Sequence, residues 1–298
     1  MMVDISLMSR FPIHMLNLLW QSFGAWRRDR GTRLSAALSY YTLFSLSPLI
    51  AICISLLGLL FGRDVVEQHI ISEISAIAGQ MTANAVTTMI SGTGKHQANW
   101  YIASIGFVVL IVAAIGVFAE LKDALNTIWR VKDDPKAGIW AMVRFYLAPM
   151  TMLLGIGFLL LVSMVISTGL AAFSSYISQE LPIGAVLIWL LDVVISTVII
   201  TVLFAVLYRY IPDAKVAWMD VWGGALVASL LFAIGRYLIG FYLGKAGLAS
   251  TYGAAGSLVA ILVWVYYSAQ ILYFGAEFTR LYAYRYGSRK HVELPPDA

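Results

Sequence analysis

Charge is scarce in this chain. Of its 298 residues only 12% are Asp, Glu, Lys or Arg, about half the share of an ordinary soluble domain. Hydrophobic residues make up 60%, and the mean hydropathy is +0.82. That balance excludes a soluble globular domain and points to an integral membrane protein. Cysteine is almost absent: Cys53 is alone, which rules out an intrachain disulfide and a cysteine-based metal site. The four histidines (His14, His69, His96, His291) are scattered, with no HExxH pair and no carboxylate cluster beside them. No metal, no cofactor and no catalytic residue is therefore expected. The stretch GTGKH at Gly92–His96 lacks the first glycine of a phosphate-binding loop, and no nucleophile elbow is present; the chain reads as a non-enzyme. Its first 35 residues hold no apolar core followed by a small-residue cleavage site, so a cleaved leader is not expected.

What the chain does have is long apolar runs. Crossing a hydrocarbon core takes about 20 mainly apolar residues, and six runs qualify: 36–61, 101–119, 146–173, 183–207, 216–241 and 253–278. An even number of spans puts both termini on one side, and Lys and Arg decide which. Only Arg63, Lys95, Arg236 and Lys245 fall on the far side, and the other sixteen of the 20 basic residues fall on the terminal side. That bias predicts cytoplasmic termini and accounts for the net charge of +4 without nucleic acid as a partner.

Three stretches outside the runs are amphipathic. In the 1–35 segment, Leu16, Leu19, Trp20, Phe23 and Trp26 recur at helical spacing just before Arg27, Arg28, Arg30 and Arg33. This suits a helix in the cytoplasmic interface, its arginines on anionic lipid headgroups. The 62–100 connection carries Val66, Ile70, Ile74, Ile77 and Met81 on one face, predicting a helical cap on the outer side. After the second run, Leu121, Leu125, Ile128 and Trp129 form another stripe, read as a third interfacial helix. Residues 279–298 are left as a cytoplasmic tail. Gly240 and Gly244, Gly223 and Gly224, and Gly253 and Gly256 permit close helix approach, within one bundle or between copies in a homo-oligomer.

Polar residues inside the runs are costly and mark candidate sites. Asp192 lies about 13 Å into the fourth run at 1.5 Å per residue, and Arg236 sits near the outer end of the fifth. The two are candidates for a structural lock or a gate. On the first run Ser35, Ser39, Thr42 and Ser45 share one face, ended by Pro48, whose missing N–H leaves a carbonyl unpaired. On the sixth, Tyr266, Gln270, Tyr273 and Glu277 recur at i, i+4, i+7 and i+11. These rows either line one cavity open to the cytoplasm or, with hydroxyls bonded to their own helix, knit the helices together. Glu277 alternatively pairs locally with Arg280.

Three stretches carry a resemblance. RLSAALSYYTLFSLSPLI (Arg33–Ile50), ALNTIWRV (Ala124–Val131) and YGAAGSLVAILVWVYYSAQILYFGAEFTRLYA (Tyr252–Ala283) are similar to signature segments of the YihY/BrkB family of bacterial inner-membrane proteins. The resemblance implies six transmembrane helices with cytoplasmic termini. It also implies an envelope function, since the family includes virulence-associated and serum-resistance members for which transport, including that of lipid, has been suggested. The family has long carried a ribonuclease BN label, but the residues above offer no metal-binding or acid–base cluster for RNA hydrolysis.

The expectation is an all-α integral membrane protein. It is a single membrane domain with a six-transmembrane-helix bundle, both termini cytoplasmic, amphipathic interfacial helices and an outer-side helical cap. Its expected role is transport of a lipid, another amphiphile or a small solute through a cavity lined by spans one and six. Asp192 and Glu277 would be the proton or ion sites, with Arg236 as counter-charge. The alternative is a non-transporting envelope scaffold.

Overall fold

The computed structural model describes residues 5–93, 115–131, 184–245 and 256–291. All regular structure among them is helical: α1 (Ile5–Arg28), α2 (Gly31–Phe61), α3 (Arg63–Ala78), α4 (Gln80–Thr93), α5 (115–128), α6 (Gly184–Tyr210), α7 (Trp218–Lys245) and α8 (Gly256–Arg285). Helix α8 is the hub, in contact with α1, α2, α4, α6 and α7.

Three helices are long and apolar enough to cross a membrane, at Val193–Tyr210, Trp218–Ile239 and Leu258–Arg285. They match the fourth, fifth and sixth expected runs, and α2 covers the first. Residues 101–114 and 146–173 of the second and third runs lie outside the described residues, so the expected six spans are three among the described ones. The last helix continues beyond Phe278 to Arg285. In sequence Glu277 and Arg280 look like the polar end of a span. In the fold they bond to each other inside the bundle, so the helix has no reason to stop there.

Helix α7 shows why these helices suit lipid. Its outward face carries Leu226, Leu230, Ile234 and Leu238, all exposed, between Trp218 and Trp222 at one end and Tyr237 and Tyr242 at the other. Trp218 and Tyr237 are about 28 Å apart along the axis at 1.5 Å per residue. That matches a hydrocarbon core of about 30 Å flanked by two aromatic belts. Helices surrounded by lipid gain little from burying apolar surface against each other, so close approach and interhelical hydrogen bonds hold them. A Cβ at Gly224 would run into Thr279, and one at Gly235 into the ring of Tyr267. Thr201 Oγ1 donates to Ser229 Oγ at 2.7 Å between α6 and α7, and Tyr208 OH donates to the Leu272 carbonyl of α8 at 2.9 Å.

The 62–93 region is a helical hairpin rather than one amphipathic helix. Gly62 and Gly79 adopt φ of 87° and 83°, a region open to glycine and strained for other residues, and each marks a helix boundary. Val66, Ile70 and Ile74 of α3 with Ala85, Val86 and Ile90 of α4 close over Ile50 and Ile54 of α2 and Ile261 of α8. Met81 packs beside Ala260, and the side chain of Ile77 lies outside the described residues.

At the opposite end of the bundle, α5 is not a surface helix. Leu125, Ile128 and Trp129 are fully enclosed in the largest core, with Phe204 and Tyr208 of α6, Val221 and Ala225 of α7 and Leu272 and Tyr273 of α8. An apolar stripe has the same spacing whether it meets headgroups or protein, and here protein covers it. Polar ties hold α5 to the α6–α7 connection: Asn126 and Asp213 exchange two hydrogen bonds, and Lys122 pairs with Asp213 at 2.9 Å. The turn after α8 is strapped back as well. Ser288 donates its N–H and its hydroxyl to the buried Asp220, and Arg289 lies over the Trp129 ring while donating to the Lys215 carbonyl. Helix α1 buries Leu18, Ser22 and Ala25, with Leu18 and Ala25 against Phe278 and Leu281 of α8, and leaves Leu16, Trp20 and Phe23 exposed.

Candidate functional site

The two polar rows differ in how their groups are satisfied. On α2 all four hydroxyls of the row bond to their own helix: Ser35 to the Gly31 carbonyl, Ser39 to Ala36, Thr42 to Leu38 and Ser45 to Thr42, at 2.7–3.0 Å. Ser35, Ser39 and Ser45 are buried and Thr42 is half-buried. Short β-hydroxyl side chains reach a carbonyl one turn back, which makes them tolerable in an apolar setting. Helix α2 continues through Pro48, whose side chain lies outside the described residues.

On α8, Tyr266 and Gln270 are half-buried, and Tyr273 and Glu277 are completely enclosed. Glu277 Oε2 accepts from Arg280 Nη2 at 2.8 Å and from Nε at 3.1 Å, and both side chains are 0% exposed. An i, i+3 pair on a surface helix is worth a few tenths of a kcal/mol. Out of water each ion instead costs several kcal/mol to desolvate, so partners must offset it.

Further partners come from distant parts of the chain. The tight corner between α1 and α2 brings Asp29 to the Glu277 carboxyl, within hydrogen-bonding reach. Asp29 Oδ1 in turn accepts from Arg130 Nη2 at 2.7 Å, at the end of α5. Arg30 and Arg130 are the two non-glycine residues with positive φ among the described residues, at 55° and 54°. Each such residue stores about 1 kcal/mol or more of strain; Arg30 directly follows Asp29, and Arg130 is its ion-pair partner. A Cβ at Gly31 would occupy the indole of Trp26, so the corner needs glycine there. The cluster thus joins Trp26 and Asp29 of the corner, Trp129 and Arg130 at the α5 end, and Tyr273, Glu277 and Arg280 of α8.

Each of these seven side chains keeps one buried polar atom with no hydrogen-bond partner among the described residues: Trp26 Nε1, Asp29 Oδ2, Trp129 Nε1, Arg130 Nε, Tyr273 OH, Glu277 Oε1 and Arg280 Nη1. Buried polar atoms are normally satisfied, and each orphan costs about 1–3 kcal/mol. A concentration of donors and acceptors in one place is the arrangement expected of a site that holds water, protons or a polar ligand. Nearby, burial raises the Glu120 carboxyl above its ordinary pKa, and the Asp123 charge raises it further.

Of the residues singled out in the sequence, the structure gathers Tyr273 and Glu277 into this cluster. Arg236 stands apart, half-buried, its guanidinium 5.0 Å from the Tyr237 ring centroid and donating to the Tyr237 hydroxyl at 3.2 Å. The Asp192 side chain, and with it the proposed Asp192–Arg236 pair, lies outside the described residues. Asp29, Arg130, Trp26 and Trp129 were not singled out as site residues. One signal was present: Asp29 is the lone acid in the arginine-rich stretch RRDRGTR.

An α-helical fold with several bilayer-length apolar helices defines a multi-pass membrane protein, and outer-membrane spans of bacteria are β-barrels rather than helices. The sequence model of the family described as "Virulence factor BrkB" matches residues 22–297. The chain belongs to that family and is a multi-pass bacterial inner-membrane protein. It is 27% identical over 259 residues to a "UPF0761 membrane protein" of Ralstonia nicotianae, covering 83% of this chain and 54% of the relative. A second relative of that description, from Pseudomonas paraeruginosa, is 27% identical over 254 residues, covering 83% of this chain and 58% of its own length. A third, from Aeromonas salmonicida, is 27% identical over 272 residues and covers 89% of this chain and 88% of the relative. The chain therefore spans a little over half the length of the first two relatives and most of the third. No solved structure matches it.

Proposed function

We propose that the protein is an inner-membrane transporter with six transmembrane helices and both termini cytoplasmic. It moves a lipid or other amphiphile, or a small polar solute, along the face between α2 and α8. The observation that supports this reading is the cluster of Asp29, Glu277 and Arg280, whose side chains are buried, with the half-buried Arg130. Four ionisable groups with orphaned atoms are a large liability for a helix bundle that only holds its place in lipid. A transporter uses such groups to bind and release protons or polar cargo. The exposed Leu16, Trp20 and Phe23 of α1 lie beside the exposed Arg27, Arg28, Arg30 and Arg33, which suits docking on anionic headgroups and favours an amphiphilic cargo. Neither a nucleotide nor a catalytic metal is part of this reading, so movement would be driven by an ion gradient or a partner, or be simple facilitation.

A second reading, the envelope scaffold, is favoured by the α2 row, whose hydroxyls are all spent on their own helix. Reconstitution separates the two. Glu277→Gln and Asp192→Asn are expected to slow lipid scrambling or solute flux in proteoliposomes by tenfold or more. If both variants match the wild type, the transport reading is abandoned for the scaffold.

A further inference from the structure

We infer that the carboxyl groups of Asp29 and Glu277 share a single proton, forming a proton-binding site where the α1–α2 corner meets α8. Each carboxyl uses one oxygen on an arginine, Asp29 Oδ1 on Arg130 and Glu277 Oε2 on Arg280. Each has a second oxygen, Oδ2 and Oε1, that is buried with no donor among the described residues. The Asp29 side chain is 5% exposed and that of Glu277 is 0% exposed, so water does not screen them. The two groups are nonetheless within hydrogen-bonding reach of one another. Two ionised carboxylates at that separation repel, whereas one proton between them turns the contact into a charge-assisted O–H···O⁻ bond and satisfies an acceptor on each side.

The surroundings fit a single proton. Arg130 at the end of α5 and Arg280 on α8 balance the two carboxylates when both are ionised, and one proton leaves the four groups at net +1. Glu120 and Asp123 of α5, whose charges reach the Tyr273 hydroxyl one turn before Glu277, offset that excess. On release the proton passes from the carboxyl to solvent and leaves two facing anions, so no other reactant is needed. The contact that keeps the strained Arg30 corner against α8 then becomes repulsive. Proton loss would loosen the corner that carries the exposed aromatics of α1. This use of the proton rests on the transport reading; the site itself does not.

Infrared difference spectroscopy on the full chain in lipid vesicles tests the site directly, through the C=O stretch of a protonated carboxylic acid. At neutral pH the wild type is expected to show one such band that disappears on alkalinisation and that is absent in both Asp29→Asn and Glu277→Gln. Each amide can donate to the remaining carboxylate and keep the corner closed. Glu120→Gln should retain the band. The inference is overturned if the wild-type titration shows no carboxylic-acid band, if either Asp29→Asn or Glu277→Gln retains the band, or if added sodium at constant pH removes it, since a cation would then hold the pair. Loss of the band in Glu277→Gln with flux unchanged would retain the proton site and remove it from the transport cycle.

Discussion

The hydroxyl row of α2 and the ionisable row of α8 look equivalent as patterns: both are polar faces on helices that pack together. Their chemistry separates them. A serine or threonine closes a bond to its own backbone and asks nothing of its neighbours. Glu277 and Arg280 only partly satisfy each other, and Asp29 and Arg130, brought beside them from two other corners of the chain, leave orphaned atoms of their own. The lesson is that depth of burial does not rank polar residues by function; what matters is whether a group can be satisfied within its own helix.

The largest break in that comparison should come from Arg280→Met, which leaves the Glu277 carboxyl enclosed without its nearest counter-charge. We expect a loss of about 3–5 kcal/mol, read as a lowered midpoint in denaturant unfolding from mixed micelles. A loss below about 1 kcal/mol would mean the pair is open to water. Next is Tyr208→Phe, which deletes the hydroxyl donated to the Leu272 carbonyl and should cost about 1 kcal/mol in the same measurement. Tyr273→Phe provides the contrast: the same chemical change on a hydroxyl that has no partner among the described residues is expected to be neutral or slightly stabilising. A destabilisation matching that of Tyr208→Phe would show that ordered water bridges the Tyr273 hydroxyl. Smallest of all are Ser35→Ala, Ser39→Ala and Ser45→Ala, each within about 0.5 kcal/mol of the wild type, because only a bond within the helix is lost. Flux measured on the triple serine variant sharpens the comparison, since a fall in rate would place cargo against a row that is otherwise packing.

Much of this was legible in one dimension because it depends on composition. Hydropathy marked α6, α7 and α8 closely, because the bilayer requires length and apolarity whatever the tertiary contacts. One error has a clear origin. The α5 stripe read as interfacial, since periodicity records that a face is apolar or polar without recording what covers it. The cap was legible as amphipathic, while its division at Gly79 depended on a backbone conformation.

For the site, Tyr273 and Glu277 were legible from their spacing on one helix face. Asp29 and Arg130 were not, because their 2.7 Å contact joins residues 101 positions apart. The sequence by itself determined that this chain lives in a membrane, which helices can cross it and which polar residues are expensive there, since transfer energies are properties of residues and short windows. Only the tertiary structure decided which polar groups satisfy themselves and which are left facing one another, because hydrogen bonds and ion pairs depend on distances that close when α1, α2, α5 and α8 pack together.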